Sequence, residues 1–322
     1  MHKPIVVVGS INLDLVVSAD RIPQVGETII GNSFNTFYGG KGANQAVAVA
    51  KLGYPVSMVG NVGSDAFGTQ LRNGLKDAGV DTAYVNTVEG PSGVALITTG
   101  RLGENNIVVV PGANGRLTPK LLEKAATILE RAGFLLAQLE IPLETVEYLA
   151  QFAERHDIPL MLDPAPAREL PTALLRRVTW ITPNETETQE LLKTRIENGD
   201  QGFYEAAERL LDCGVKNILL KLGARGCLIA QGTLAKERIP AFPVDAVDTT
   251  AAGDAFNAGF AVGLMRGSTV ARSAVFASAV AAISVTRPGA QPSMPTGDEV
   301  DRFLEQHSVT TLQEPSYTRQ AR

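Results

Sequence analysis

The sequence predicts an α/β protein: a mostly parallel central sheet, helices on both of its faces, and a small β-sheet lid. Three observations predict it. Runs that read as strands alternate with runs that read as helices. Most of the strand runs are continuously apolar, as strands of a parallel sheet covered on both faces are. Two segments break the alternation with paired strand patterns and no helix between them, which places them outside the parallel sheet.

In chain order, IVVVGS (5–10) opens the sheet. Residues 13–38 hold LDLVVSAD and ETIIGNSFNTFY, the first of the two helix-free pairs. NQAVAVAKL (44–52) reads as a helix beginning near Asn44, VSMVG (56–60) as a strand, and FGTQLRNGLKDAG (67–79) as a helix. Residues 93–112 carry GVALITTG and NNIVVVPG around a Gly/Asn turn, the second pair; the two pairs together are read as the lid over the ligand end of the sheet. PKLLEKAATILERAG (119–133) is expected to be one helix, FLLAQL (134–139) a strand and LETVEYLAQFAERH (143–156) a helix. PLMLD (159–163), WITPN (180–184) and NILLKLG (217–223) are further strands, and AFNAGFAVGLM after AAGD a tightly packed helix. Residues 1–307 are read as a single domain, and the aperiodic residues 308–322 as a disordered tail.

Composition narrows the function. The chain has 322 residues, 44% apolar, enough for a large core. Lys+Arg 29 against Asp+Glu 34 gives a net charge of −5. With no basic run, this counts against nucleic acid or an anionic membrane as partner. Cys213 and Cys227 are the two cysteines, which excludes a disulfide framework and suits core thiols in a reducing cytoplasm. No apolar run approaches the ~20 residues of a membrane span. The first residues enter a strand pattern directly, unlike a signal peptide. His2, His156 and His307 are scattered and receive no role.

Ligands of open parallel sheets bind beyond the carboxyl ends of the strands. Several strand runs here end in polar or glycine punctuation: GSIN, GNVGSD, QLE (138–140), DPAPA (163–167), TPNETE (182–187) and KLGARG (221–226). The stretch DTTAAGDAF (248–256) adds a helix start from which bulky side chains are missing. The backbone N–H groups of Ala251, Ala252, Gly253 and Asp254 are expected to be unpaired donors of its first turn, a natural anion site. Asp254 in that field reads either as a capping carboxylate or as a general base for phosphoryl transfer. A second glycine-rich stretch, YGGKGANQA (38–46), lacks the G-x-x-x-x-G-K-[ST] spacing, and no G-x-G-x-x-G occurs in a first strand–helix turn, so a nicotinamide dehydrogenase is not indicated.

GGKGANQAVAVAKLG with GNVGSDAFG, and DTTAAGDAFNAGFA, resemble the N- and C-terminal signatures of the PfkB or ribokinase-like carbohydrate kinase family. The resemblance continues through GSINLD, QLE, DPAPARELP, TPNETE, LGARG and VTRPGAQPS and covers roughly residues 4–305. It implies a three-layer αβα sandwich with a β lid that often pairs with the lid of a second subunit, hence a homodimer. Within the family, GSIN-D, GGKGANQA and TRPGAQPS together are similar to members that transfer phosphate from ATP to the 5-hydroxyl of D-ribose, using Mg²⁺ and stimulated by K⁺.

Carried over by motif, the resemblance implies that Asn12, Asp14, Gly40, Lys41, Gly42, Ala43, Asn44 and Glu140 bind the sugar. Asn184 lies near the ATP phosphates, and Glu187 helps hold the Mg²⁺ hydration shell. Lys221, Leu222, Gly223, Ala224, Arg225 and Gly226 border the nucleotide. Ser278 stands beside the adenine site, where some members carry His. Ala251 to Gly253 form the anion hole and Asp254 is the base. K⁺ takes Asp248, the carbonyls of Thr250, Ser284, Arg287 and Gly289, and Ser293. The alternatives are a kinase of the same fold for deoxyribose, a nucleoside or a hexose derivative, and a non-catalytic sugar sensor. Asp254, its anion hole and Glu187 count against the sensor, which has no use for a base.

Overall fold

In the computed structural model, which describes residues 2–101, 104–197, 199–232 and 234–308, the chain begins with β1 (Ile5–Val8), β2 (Asn12–Ser18) and β3 (Ser33–Gly39) before its first helix, α1 (Lys41–Lys51). Then come β4 (Val56–Gly63), α2 (Ala66–Asp77), β5 (Asp81–Val88), β6 (Gly93–Thr99) and β7 (Asn105–Val110). The middle of the chain forms α3 (Pro119–Lys124), α4 (Ala126–Arg131), β8 (Phe134–Ala137), α5 (Leu143–Arg155), β9 (Leu160–Leu162), α6 (Thr172–Leu175) and β10 (Trp180–Ile181). The last part holds α7 (Glu185–Leu192), α8 (Asp200–Asp212), β11 (Asn217–Lys221), β12 (Cys227–Gln231), β13 (Leu234–Ile239), α9 (Ala252–Met265), α10 (Val270–Ser284) and α11 (Gly297–Gln306).

Nine strands form the central sheet in the order β13-β12-β11-β10-β9-β8-β1-β4-β5. All neighbours from β11 to β5 are parallel, and β12 and β13 are antiparallel additions at one edge. The strand period of two explains the three layers. Ile5 and Val7 of β1 face the core under α1, α9 and α10, whereas Val6 and Val8 face the core under α5 and α8. Leu136 and Leu135 of β8 divide the same way, as do Leu219 and Leu220 of β11. A strand with apolar side chains on both faces has to be apolar throughout, which is the pattern seen in the sequence.

The two helix-free pairs build a separate four-stranded sheet, β3-β2-β6-β7. Its outer pairs are antiparallel hairpins, and β2 joins β6 in parallel from Asn12↔Gly93 to Ser18↔Thr99. The lid therefore falls where the sequence places it.

Three details differ from the sequence reading. Helix α1 starts at Lys41, three residues before Asn44, because Gly40 (φ 87) turns the chain in the left-handed region that glycine tolerates. The helix expected over 119–133 breaks at Ala125, where Ala125 N–H donates to the Leu122 carbonyl and Ile128 N–H to the Ala125 carbonyl in tightened three-residue turns. Strand β5 and the β12–β13 hairpin complete the edges of the sheet and have no counterpart in the sequence reading. Of the tail, residues 309–322 lie outside the described residues. Among the described residues no helix is long and apolar enough to cross a membrane.

Candidate active site

The carboxyl ends of the central strands meet the lid around a polar cavity of 530 Å³. Asn12 and Asp14 enter it from the start of β2, Glu140 from the turn after β8, Asp163 from the end of β9, Asn184 from the turn after β10, and Lys221 from the end of β11. The N-termini of α1 and α9 complete the floor with Lys41, Asn44, Gly253 and Asp254. Ala95 and Ile97 of β6 and Ile107 and Val109 of β7 form an apolar ceiling. A second cavity of 520 Å³ adjoins it, sharing Lys221, Gly223, Thr249, Ala252 and Gly253. Its wall is apolar, with Phe242, Val244, Phe256 and Val285 beside Gly223, Ala224, Gly226 and Ser278.

Side chains at the deep end of the polar cavity are held by one another. Glu140 accepts the Lys41 backbone N–H at 3.1 Å and the Ser10 hydroxyl proton. Asn12 Oδ1 accepts from Asn114 Nδ2 at 2.7 Å. Asp14 lies so close to Gly39 that a Cβ there would stand 2.2 Å from its Oδ2. Burial raises the Asp14 carboxyl to about 7, with help from the charges of Glu140 and Asp254. Burial acts to lower the Lys41 ammonium, but the carboxylates of Asp254, Asp163, Glu140 and Glu187 outweigh it and the net shift is upward.

Asp254 is buried, 4% exposed, in the first turn of α9. Its Oδ2 accepts from Asn44 Nδ2 and its Oδ1 from Gln45 Nε2, both at 3.0 Å. Burial raises its carboxyl to about 6; Lys41 opposes the shift, Asp163 adds to it, and the two amides oppose it. A carboxylate so placed accepts a proton near neutral pH more readily than a solvated one. Ala251 caps the helix with left-handed dihedrals (φ 59, ψ 14). Of the four N–H groups expected to be unpaired, that of Ala252 donates to the Thr249 carbonyl at 3.2 Å, because the turn into the helix closes there. Those of Ala251, Gly253 and Asp254 have no acceptor among the described residues, so an anion site remains, with one donor fewer.

Three buried polar residues near Asp254, namely Gln45, Gln138 and Asp163, are not singled out by the sequence reading. Gln45 Nε2 also approaches Asp163 Oδ2 at 3.3 Å, and its Oε1 accepts from Gln138 Nε2 at 2.8 Å. Asp163 in turn binds Lys221 Nζ at 2.9 Å. The three stand in the motifs GANQA, QLE and DPAPA, and a polar residue ending a buried strand is the signal that could find the last two.

Asn184 and Glu187 form a reciprocal capping box at the start of α7: Glu187 N–H donates to Asn184 Oδ1 at 2.8 Å, and Asn184 N–H to Glu187 Oε2 at 2.7 Å. Burial raises the Glu187 carboxyl, Lys221 opposes and Asp163 reinforces the shift. Some expected ligand residues do not line either cavity. Gly42 and Ala43 are buried inside α1, and Leu222 is buried behind β11. Arg225 turns to Glu185 and lies over the Phe203 ring at 4.8 Å.

Of the expected cation set, Asp248, Thr250 and Gly289 meet at the turn into α9. Asp248 Oδ1 accepts Thr250 N–H at 2.9 Å and its Oδ2 accepts Gly289 N–H at 2.8 Å, so the VTRPGAQPS loop does fold against it. Burial works to raise its carboxyl, and these hydrogen bonds outweigh it and lower it. Ser284 O accepts Arg287 N–H at 3.2 Å, Ser293 Oγ donates to Ala290 O at 2.7 Å, and the Arg287 side chain pairs with Glu299.

A comparison with known families matches the pfkB family carbohydrate kinase pattern to residues 2–297. Ribokinase of Bacillus subtilis (strain 168) is 43% identical over 303 residues, 94% of this chain and 99% of that protein. Deoxyribokinase of Salmonella typhi is 38% identical over 303 residues, 93% of this chain and 98% of that protein. The structure of Arabidopsis thaliana ribokinase complexed with ribose and ATP superposes with a TM-score of 0.90 at 36% identity, over 95% of this chain and 99% of that one. With nearly its whole length matched in this way, the chain belongs to the pfkB family of carbohydrate kinases.

Proposed function

We propose that this enzyme transfers the γ-phosphoryl group of ATP to the 5-hydroxyl of D-ribose, giving D-ribose 5-phosphate and ADP. The observation that carries this reading is the meeting of two cavities, one polar and one apolar, at the N-terminus of α9 beside a buried carboxylate. A polyol suits the first: Asn12, Asp14, Asn44 and Glu140 offer convergent acceptors and donors, and each carboxylate can accept hydrogen bonds from two hydroxyls. A purine ring suits the second, against Phe242 and Phe256 with Ser278 at its edge. The 5-hydroxyl then lies at Asp254, which takes its proton, and the N–H groups of Ala251 and Gly253 receive the phosphoryl charge.

Among the described residues no group of three or more His, Cys, Asp or Glu side chains gathers to cage a metal. Glu187, with one oxygen in the α7 cap, would hold Mg²⁺ through its waters with the other. Bound with ATP, Mg²⁺ neutralises phosphate charge. Asp248, held as a carboxylate, with the carbonyls of Thr250, Ser284, Arg287 and Gly289 and with Ser293, is the proposed K⁺ site, and it steadies the turn that presents Ala251 to Gly253. The lid is the proposed contact in a homodimer, and the two free cysteines suit a cytoplasmic setting.

Deoxyribose is the second reading, favoured by the deoxyribokinase among the relatives. Measuring ADP release across ribose, 2-deoxyribose and nucleosides decides between them. The expected result is a higher kcat/KM for ribose, because a site that bonds a hydroxyl is left with an unpaired buried group when the hydroxyl is missing. Equal use of both sugars would overturn the ribose assignment. In the same assay at constant ionic strength, K⁺ is expected to exceed Na⁺ and a large organic cation, and the Asp248→Ala variant to lose the difference.

A further inference from the structure

Lys221 ends β11, and its side chain, 13% exposed, lies in the wall that the two cavities share. Its Nζ binds Asp163 at 2.9 Å and hangs over the start of α9, where a Cβ placed on Gly253 would come within 3.3 Å of it. Six carboxylates line the polar cavity: Asp14, Glu140, Asp163, Glu187, Asp254 and Glu185, the last paired with Arg225. Among the described residues the other cation lining it is Lys41, whose ammonium feels Asp254, Asp163, Glu140 and Glu187, and the apolar cavity has no cation besides Lys221. A triphosphate that reaches Gly253 from the apolar side therefore meets the negative field beside Lys221, the lysine that lines both cavities.

We propose that Lys221 is a catalytic residue: its ammonium leaves Asp163 for the oxygens of the phosphoryl group in transfer and returns when the product departs. The inference rests on the kinase reading given above. In the step, the 5-oxygen of the sugar bonds to the γ-phosphorus while the bond from that phosphorus to the β–γ bridging oxygen breaks. The hydroxyl proton goes to Asp254, and the electron pair of the broken bond leaves with ADP. Lys221 loses no proton; it donates hydrogen bonds to oxygen charge that builds up as the group moves. Asp163 is the resting partner. Gln45 Nε2 still faces its other oxygen when the lysine departs, so the exchange does not leave this buried carboxylate without a donor.

The test uses Lys221→Met and the double variant Lys221→Met/Asp163→Asn, with steady-state kinetics and calorimetry. In Lys221→Met, kcat is expected to fall on the order of 10²–10³-fold, the loss typical of one preorganised donor. ATP affinity is expected to fall about tenfold or more, while ribose and adenosine affinities hold. A lysine that merely neutralised Asp163 would predict something different: Asn at 163 removes the unpaired charge, so the double variant would recover. The proposal expects it to stay slow. Recovery of kcat in the double variant, an unchanged kcat in Lys221→Met, or parallel loss of ATP and adenosine affinity would overturn it. The ATP-against-adenosine comparison needs no turnover of ribose, so it decides the role of Lys221 even if the sugar assignment fails.

Discussion

Asp254 is oriented by two amides and made basic by its burial, and both effects can be separated by substitution. Asp254→Asn keeps the shape and removes the base. Asn44 can turn its amide toward the new side chain, since Asn44 Oδ1 has no hydrogen-bond partner among the described residues. Turnover is expected to fall by ~10²–10⁴ while ribose binding persists, measured by steady-state kinetics and calorimetry. Because the proposed base works ionised, kcat/KM should rise with pH through about 6, the value to which Asp254 is raised. Asp14 carries the opposite consequence for stability. Its carboxyl stands at about 7 in the fold against 3.8 without it, so the folded state is favoured by protonation. Below the lower value both states are neutral and nothing is lost; as pH rises through 7 the fold must hold a charge that burial, Glu140 and Asp254 oppose. Asp14→Asn is therefore expected to raise the melting temperature at pH 8 and change it little at pH 4, while weakening ribose binding. An equal shift at both pH values would contradict this account.

At the scale of the elements, the site is assembled by two helix starts. Helix α1 brings Lys41, Asn44 and Gln45, and α9 brings Gly253 and Asp254. The approach of α1 to β1 depends on Gly42, where a Cβ would stand 2.7 Å from the carbonyl carbon of Gly9 and from Ser10 N. Both obstacles are backbone, so nothing flexible can give way. Gly42→Ala is expected to cost about 1–3 kcal/mol in denaturant unfolding, the usual range for overpacking, and to lower kcat/KM by moving Asn44 and Gln45 off Asp254. On this account Gly42 acts by seating the helix. If unfolding were unchanged while activity fell, a direct contact would be the better account.

At the scale of the whole molecule, the lid has two faces with different duties. One covers the polar cavity with Ala95, Ile97, Ile107 and Val109. The other leaves Phe34 (62%), Leu96 (47%) and Val108 (59%) exposed, with Val17 and Val110 beside them in register. An apolar sheet face of this kind is suited to a second copy of the chain. Leu96→Glu combined with Val108→Glu is expected to convert a dimer to a monomer in sedimentation velocity. A wild-type chain that sediments as a monomer at micromolar concentration would remove the dimer from this account.

The sequence by itself determined the parallel sheet, the lid segments and the start of the base helix. Strands buried on both faces are apolar throughout, and turns that must approach a ligand or reverse the chain are stripped to glycine and alanine, so the information is local. Strand β5 is invisible there because only Thr82 and Val85 of DTAYVNTV are fully buried, so no strand period shows, and its pairing depends on β4. Arg225 belongs to a glycine-rich turn at the nucleotide end, but Glu185 and Phe203 decide where its side chain points. The network around Asp254 was decided by the tertiary structure alone. Gln45 meets Asp163 across 118 residues and Lys221 meets Asp163 across 58. A hydrogen bond between such distant side chains leaves no periodic trace in the chain; it exists because two helix starts and two strand ends are brought to one point.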